Sequence, residues 1–221
     1  MSDHHDLVDT QEMYLKAITE LHEARLPALR ARLAERFEQS SPTVSETVNR
    51  MSKAGLLVLG TDRVLHFTAE GEQQALSVMR KHRVIEQFLH QVVKLDWSKI
   101  HAEACRWEHV ASDEAVELMD GLLEHPEVDP FGNKVPQLNG SQVHSVDQPA
   151  DDSIVERDHG TLTRIGEIAQ IDQEFLADCL AQGITLGTDV TVEQVPDGYV
   201  LIHGEAEVFV PEGYARGVFL S

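Results

Sequence analysis

One short stretch, SSPTVSETVNRMSKAGLL, constrains the fold more than any other part of this sequence. Ser41 is a good N-cap candidate, Pro42 suits the first helical position, and Gly55 ends the pattern. Apolar residues recur between them at helical spacing, at Val44, Val48 and Met51. The preceding stretch, LRARLAERFEQ, predicts another short helix. Two short helices around a tight polar turn are typical of a helix-turn-helix.

The flanking segments extend this motif to a winged helix-turn-helix. An earlier helix is predicted by apolar residues at Tyr14, Ala17, Ile18 and Leu21, with Thr10 as its candidate cap. After Gly55, the runs LLVL and VLHF are separated by a polar turn, which predicts a β-hairpin. Thr68 is then positioned to cap a long helix that we expect to run to about Leu95.

The net charge of the chain and its local distribution give opposite indications about nucleic-acid binding. Its 18 basic and 38 acidic residues give a net charge of −20, whereas DNA-binding domains are typically basic. Residues 151–221 carry much of this excess, with 3 basic and 14 acidic side chains. The helix-turn-helix region instead holds a local basic patch, made of Arg25, Arg30, Arg32, Arg36, Arg50, Lys53 and Arg63. Such a patch dominates locally because charges are screened over about 8–10 Å, although ordinary surface ion pairs would account for some of these arginines.

The hydrophobic periodicity divides the chain into four segments. Residues 1–76 form the predicted winged helix-turn-helix domain, and residues 77–136 form a helical segment that ends in HPEVDPFGNKVP. Residues 137–152 are polar and lack periodicity, which predicts a linker. Residues 153–221 contain short strand-like runs and one helix near 173–182, which predicts a small β-barrel or sandwich. The predicted fold class is therefore mainly α with a small β domain.

A stripe of metal-binding side chains marks the stretch HAEACRWEHV. On an α-helix, four donors of this stretch fall within an arc of about 100°: His101, Cys105, Glu108 and His109. Imidazole, thiolate and carboxylate are the ligand types that divalent transition metals accept. Each donor alone has an ordinary explanation, because surface helices often carry His–Glu pairs and buried cysteines are usually inert. Four donors on one stripe favour a metal site.

The remaining composition narrows the class of protein. Two cysteines, Cys105 and Cys179, make no disulfide framework, and the acidic start MSDHHDLVDT does not resemble a signal peptide. No apolar run approaches membrane-spanning length, so we expect a reduced, cytoplasmic protein without a membrane partner. A metal-dependent hydrolase is one alternative, but the HExxH signature is absent. A binding module with a structural metal is another, and it would leave the arginine-rich helices unexplained.

The sequence closely resembles the diphtheria toxin repressor family of iron-dependent transcriptional regulators. The likeness is carried by DLVDTQEMYL, LRARLAERFEQSSPTVSETVNRM, MRKHR, HAEACRWEHV and PFGNKVP, and it weakens after residue 137. The resemblance implies a winged-helix DNA-binding domain, a helical metal-binding and dimerisation domain, and a C-terminal SH3-like β-barrel. It also implies a metal-activated repressor of iron homeostasis genes rather than an enzyme. Its expected partner is palindromic double-stranded operator DNA, bound by a homodimer, with up to two dimers on each operator.

The resemblance further implies two metal sites per subunit. The primary site would use Met13, Cys105, Glu108 and His109. The ancillary site would use His82, Glu86, His101, Glu167 and Gln170. The spacing of His82 and Glu86 agrees independently, because residues four apart are neighbours on a helix and can reach one ion. A methionine in a first helix would otherwise be interpreted as core packing, so Met13 rests on the resemblance.

The ligand chemistry predicts the metal. A thioether and a thiolate favour Fe(II), Co(II) or Ni(II) over Mn(II) or Mg(II). Manganese-sensing relatives of the family carry an acidic residue at the position of Cys105. We therefore expect Fe(II), with Co(II), Ni(II), Mn(II) or Zn(II) as substitutes. A Mn(II)-responsive regulator of the same family is the alternative.

The predicted DNA contacts come from the helix-turn-helix and the wing: Arg30, Ser40, Ser41, Pro42, Thr43, Glu46, Arg50 and Arg63. Two positions depart from the family pattern. Glu46 stands where the family has glutamine, and it either reads a base or pairs with Arg50 one turn on. Asp129 stands where close family members have a small neutral residue beside an anion. With Arg83 nearby, its carboxylate would replace that anion or abolish it.

Overall fold

The computed structural model describes residues 3–139, 142–144 and 151–221. It divides into two compact units, of which the first comprises residues 1–80 and 136–145 and the second residues 81–135 and 146–221. The finer division into four segments stays a prediction. Much of the predicted linker, 137–152, lies outside the described residues.

The first unit is a winged helix-turn-helix followed by the start of a long helix. Its helices are α1 (Asp3–Glu23), α2 (Arg30–Arg36), α3 (Ser41–Lys53) and the N-terminal part of α4 (Ala69–Phe88). The wing consists of two antiparallel strands, β1 (Leu57–Leu59) and β2 (Leu65–Phe67). A second hairpin is formed by β3 (Gln137–Asn139) and β4 (Gln142–His144). The predicted helix-turn-helix and wing are confirmed. The predicted long helix is also present, but its α-helical part ends at Phe88 rather than near Leu95, and a π-helical turn continues it to Val93.

The core of this unit fixes α1 against the helix-turn-helix. Its buried side chains include Tyr14, Ile18, Leu33, Val44, Val48, Met51, Leu57 and Leu65, so the predicted apolar faces of α1 and α3 both point inward. Tyr14 stacks on Phe37 with ring centroids 4.8 Å apart, and its hydroxyl donates a hydrogen bond to Gln39 at 2.7 Å. The buried carboxylate of Glu20 pairs with Arg36 on α2. These contacts connect α1 to α2 and to the turn that precedes α3.

Two helix starts differ from the prediction. The cap of α3 is Ser40 rather than Ser41, because Ser40 Oγ accepts a hydrogen bond from Thr43 N at 3.4 Å. Helix α1 begins at Asp3 instead of Thr10. No proline or glycine interrupts residues 3–10, and once a helix has nucleated, it extends through such a stretch at little cost.

The second unit combines helices with a six-stranded antiparallel sheet. Helix α4 is followed by a π-helical turn (Leu89–Val93), a 3-10 turn (Trp97–Lys99), α5 (Ile100–Trp107) and α6 (Asp113–Leu122). Two further helices lie later in the chain, α7 (Glu167–Gln170) and α8 (Gln173–Gln182). The strands are β5 (Asp152–Ser153), β6 (His159–Ile165), β7 (Asp189–Val195), β8 (Gly198–His203), β9 (Ala206–Pro211) and β10 (Val218–Leu220). Their order in the sheet is β5-β10-β6-β7-β8-β9. The predicted C-terminal β domain and its helix are confirmed.

The segment 129–135, called the 129–135 loop below, joins the helices of this unit to the sheet. Ile165 N donates a hydrogen bond to Phe131 O at 2.9 Å, at the end of β6. Gly132 has a φ of +86°, and a Cβ there would lie 2.4 Å from the Thr163 carbonyl oxygen. The loop therefore packs so closely against β6 that this position requires glycine.

The stretch TLTRIGEIAQI is one of the strand-like runs predicted in residues 153–221, and this prediction is wrong for the part after Gly166. Strand β6 ends at Ile165, and the short helix α7 begins at Glu167. This places Glu167 and Gln170 three residues apart on one turn of helix, where both side chains are buried. Among the described residues, no helix is both long enough and apolar enough to span a membrane.

Candidate metal centre

A buried network of ionisable side chains joins α4 to the α5 region. His82 Nδ1 lies 2.6 Å from Glu108 Oε2, and His82 Nε2 lies 2.8 Å from Glu86 Oε1. His101 Nδ1 lies 3.2 Å from His82 Nε2 and 3.1 Å from Glu86 Oε1. All four residues are at least nine-tenths buried. The predicted helical spacing of His82 and Glu86 therefore brings them together in the structure.

Cys105 extends this network with a sulfur atom. Its Sγ lies 3.5 Å from His101 Nε2, and the side chain is half-buried. One donor atom from each of His82, His101 and Cys105 lies within 4.8 Å of the others. Two imidazoles and one sulfur are donor types that first-row transition metals accept. The cluster brings together one predicted primary ligand, Cys105, and two predicted ancillary ligands, His82 and His101.

The stripe in HAEACRWEHV is helical only in part. Helix α5 ends at Trp107, although Glu108 N still donates to Ala104 O at 2.9 Å. His109 follows in a turn, with its Nε2 3.4 Å from Glu108 Oε1. The structure thus keeps Cys105 and Glu108 on a helical path and places His109 just beyond it.

Met13 lies on α1 in the first unit. It is 39% exposed, whereas its neighbour Tyr14 is fully buried. An exposed methionine on a helix whose apolar face is buried does not contribute to core packing. Its assignment to the primary site with Cys105, Glu108 and His109 stays a prediction.

The two proposed C-terminal donors, Glu167 and Gln170, are each 1% exposed. Glu167 Oε1 accepts a hydrogen bond from Arg83 Nε at 2.7 Å and forms an ion pair with Arg83 Nη2, also at 2.7 Å. Gln170 Nε2 donates to Ile165 O at 2.7 Å. Arg83 follows His82 on α4, so α7 is connected to the helix that carries two further donors.

Two buried oxygen atoms test whether these residues fit a metal. Glu86 Oε2 and Gln170 Oε1 have no hydrogen-bond partner within the part of the chain that the structure describes. A buried polar atom without a partner costs about 1–3 kcal/mol. Both atoms belong to predicted ancillary ligands, and a cation would satisfy both. The residues therefore fit a metal ion.

Burial and neighbouring charge set the protonation of the carboxylates. Burial acts to raise the pKa of Glu86, but the imidazoles of His82 and His101 outweigh it and hold this pKa below its usual range. Burial also acts against ionised Glu167, and the guanidinium of Arg83 keeps its pKa low. The side chains of Glu86 and Glu167 are therefore held as carboxylates, the form that binds a metal.

Asp129 is the exception among the buried acids. Burial and then the charge of Glu86 raise the pKa of Asp129 well above its usual value. Arg83 compensates it incompletely, because its Nε lies 3.8 Å from Asp129 Oδ2 but 2.7 Å from Glu167 Oε1. Arg83 thus lies near two carboxyl groups, and it stabilises the ionised form of the nearer one, Glu167, more strongly.

The second cysteine has a different environment. Cys179 is fully buried on α8, and burial raises the pKa of its thiol to about 12. A thiol with this pKa remains protonated at neutral pH and is a poor metal ligand. Cys105 and Cys179 are both free. Only Cys105 lies beside imidazoles.

The residues predicted to contact DNA all lie in the first unit. The exposed ones are Ser40, Ser41, Pro42, Thr43, Glu46 and Arg63, and the half-buried ones are Arg30 and Arg50. Arg30 Nη2 donates to Asn49 Oδ1 on α3 at 3.1 Å. Within the described residues, no ion pair joins Glu46 to Arg50. The structure therefore leaves the carboxylate of Glu46 exposed on the recognition helix.

Two residues outside the predicted ligand set organise the site. Arg83 contacts Glu167, and Asn133 Nδ2 donates to both Asp129 Oδ2 and Ile165 O, at 2.9 and 3.0 Å. Sequence reasoning had noted Arg83 only as a neighbour of Asp129 and had missed Asn133. Their only sequence signal is their place in the motifs MRKHR and PFGNKVP.

Comparison with known proteins agrees with this layout. Residues 6–65 match the iron-dependent repressor N-terminal DNA-binding domain, and residues 68–137 match the iron-dependent repressor metal-binding and dimerisation domain. The chain belongs to the iron-dependent repressor family. The predicted resemblance and fold class are thereby confirmed.

Individual members of the iron-dependent repressor family align along nearly the whole chain. The diphtheria toxin repressor of Corynebacterium efficiens is 41% identical, over 96% of this chain and 95% of that protein. The iron-dependent repressor IdeR of Mycobacterium leprae is 39% identical, over 96% of this chain and 97% of that protein. A solved manganese-dependent transcriptional repressor in complex with manganese is 26% identical, with a TM-score of 0.77 over 95% of this chain and 98% of that chain.

Proposed function

We propose that this protein is an Fe(II)-activated transcriptional repressor that controls iron homeostasis genes and is not an enzyme. The observation that carries the proposal is the cluster of His82, His101 and Cys105, whose donor atoms lie within 4.8 Å of one another. Two buried oxygens nearby, Glu86 Oε2 and Gln170 Oε1, lack hydrogen-bond partners among the described residues and would be satisfied by a cation. The exposed start of α3 supplies the DNA-binding surface.

In this proposal each subunit holds two ions. The primary ligands are Met13, Cys105, Glu108 and His109, and the ancillary ligands are His82, Glu86, His101, Glu167 and Gln170. Bound ions would supply the positive charge that holds these donors together. Met13 lies on α1, and the adjacent Tyr14 contacts the turn that precedes α3. Ligation of Met13 would therefore restrain α3. Shifting the protein from about 1% to about 99% in the DNA-binding conformation needs about 5.5 kcal/mol of differential metal affinity.

The proposed partner is palindromic double-stranded operator DNA, bound by a homodimer, with up to two dimers on each operator. Two exposed apolar side chains on α6, Leu118 and Leu122, support dimerisation. They lie in the segment that matches a metal-binding and dimerisation domain. The DNA target places the protein in the cytoplasm.

The test is DNA binding with and without Fe(II). Operators are first selected from a random duplex pool in Fe(II) under anaerobic conditions, and binding is then measured by fluorescence anisotropy at fixed salt. We expect tight binding in Fe(II) and none in excess chelator. Equal affinity under both conditions would contradict the proposal.

Changing Cys105 to aspartate is expected to move metal preference toward Mn(II), because a hard oxygen replaces a soft sulfur. This prediction also tests the second candidate function, a Mn(II)-responsive regulator, which the similarity to a manganese-dependent repressor favours. The measurement is the concentration of Fe(II), Co(II) and Mn(II) that half-activates operator binding. If parent and variant rank the three metals alike, the choice of metal is made by other residues.

Changing Glu46 to glutamine is expected to tighten operator binding and to relax any preference for cytosine at one position per half-site. Glutamate only accepts hydrogen bonds and is repelled by phosphates, whereas glutamine also donates. The expected effect is about 1–3 kcal/mol, the usual contribution of one base contact. The matched control is Glu35→Gln on α2, which removes the same charge from an exposed position. If both variants change operator affinity equally across an operator panel, Glu46 does not contribute to base recognition.

A further inference from the structure

We infer that Asp129 and Asn133, here called the 129/133 pair, position the side chains of Glu167 and Gln170 for the ancillary metal. Neither residue of the pair belongs to the proposed ligand set. The inference rests on the proposed metal binding and deepens it. It makes the 129–135 loop the part of the fold that presents the C-terminal donors.

Asp129 organises the loop from within. Its Oδ1 accepts hydrogen bonds from Phe131 N at 2.7 Å and from Asn133 N at 2.9 Å. Its Oδ2 accepts a third from Asn133 Nδ2 at 2.9 Å. Asp129 is 2% exposed and Asn133 is fully buried, so water does not compete for these bonds. The Asn133 amide is thereby held in one orientation, with its NH2 group as the donor.

Asn133 transmits this orientation to the end of β6. Its Nδ2 also donates to Ile165 O at 3.0 Å. Ile165 N in turn donates to Phe131 O at 2.9 Å, so both polar groups of this residue are engaged by the loop. Ile165 lies two residues before Glu167, the first residue of α7. The loop therefore sets where α7 begins.

The same carbonyl decides which end of the Gln170 amide is available. Gln170 Nε2 donates to Ile165 O at 2.7 Å, which leaves Oε1 buried and without a hydrogen-bond partner in the described residues. An amide can bind a cation only through its oxygen. With Nε2 committed to Ile165, the side chain has its oxygen free for an ion.

Glu167 is held by the same loop through Arg83. Arg83 Nη1 donates to Lys134 O at 2.7 Å, which anchors the guanidinium, while Nε donates to Glu167 Oε1 and Nη2 forms an ion pair with the same oxygen. Arg83 and Glu167 are each about 1% exposed. Both C-terminal donors thus take their positions from the 129–135 loop, one through Ile165 and the other through Arg83.

The test is Asp129→Asn in the full-length protein, titrated with Co(II) by isothermal calorimetry. Asparagine keeps the volume and an acceptor for the two backbone N–H groups, but it sets an NH2 group against that of Asn133. We expect two binding events in the parent protein. One should weaken about 10–100-fold in the variant, the usual effect of losing a residue that orients a metal ligand, while the other is unchanged.

Two further variants make the result specific. Asp120→Asn is the matched control, because Asp120 is equally buried in the same unit and pairs with His125 instead, and it should change neither event. Gln170→Ala identifies the ancillary event. Combining it with Asp129→Asn should cost less than the sum of the two single losses, since Asp129 acts partly through Gln170.

Several results would overturn the inference. They are a single binding event in the parent, parent-like affinities in Asp129→Asn, equal weakening of both events, or strictly additive losses in the double variant. Calorimetry measures metal binding without DNA. Failure of the proposed repressor function would appear separately, as operator binding that ignores Fe(II) in a protein that still binds two ions.

Discussion

Replacing Cys105 with alanine is expected to abolish metal-dependent operator binding. Cys105 contributes the only cysteine sulfur near His82 and His101 in the described part of the chain, and its replacement removes the softest ligand of the proposed primary site. We expect operator affinity in saturating Fe(II) to fall more than about 100-fold, because the proposed switch would need several kcal/mol of metal binding energy. Fluorescence anisotropy under anaerobic conditions measures the loss.

The matched control is Cys179→Ala. Its thiol has a pKa of about 12 and is buried in the core of the second unit, away from the candidate ligands. This variant should keep the metal response of the parent. Cys105 is only half-buried, so Cys105→Ala should also unfold at nearly the same denaturant concentration as the parent. Parent-like operator binding by Cys105→Ala in Fe(II) would show that Cys105 is not a ligand.

Replacing Arg83 with methionine is expected to destabilise the second unit by about 3–5 kcal/mol, the usual cost of removing one partner of a buried ion pair. Methionine fills much of the same space but leaves the Glu167 carboxylate and the Lys134 carbonyl without their donor at 2.7 Å. The measurement is urea unfolding followed by tryptophan fluorescence. Both tryptophans, Trp97 and Trp107, lie in the second unit and report on it directly.

The control for this substitution is Arg106→Met. Arg106 pairs with Glu103 at 2.6 Å, but its side chain is 71% exposed, and exposed pairs contribute about 0–1 kcal/mol. A similar loss of unfolding free energy in both variants would mean that the buried Arg83–Glu167 pair stabilises the protein no more than an exposed pair does. A metal ion bound beside Glu167 should offset part of the loss in Arg83→Met, because it restores a positive charge to the buried carboxylates.

The sequence by itself determined the elements whose signals are local. The helix-turn-helix follows from the apolar spacing of Val44, Val48 and Met51, the wing from two apolar runs around a polar turn, and α4 from the cap at Thr68. Helix α8 was predicted to its ends for the same reason. Periodicity and caps act between residues a few positions apart, so one sequence is enough to read them.

Only the tertiary structure decided which polar groups meet inside the protein. Cys105 and Cys179 are the same residue type, yet one lies beside imidazoles and the other in an apolar core. Arg83 faces both Glu167 and Asp129, which are separated from it by 84 and 46 positions. No local pattern sets the distances among these charges. Burial and distance together determine which carboxylate pairs with Arg83 and which donor atoms remain available to a metal. The packing of α4, the 129–135 loop and α7 sets this burial and these distances.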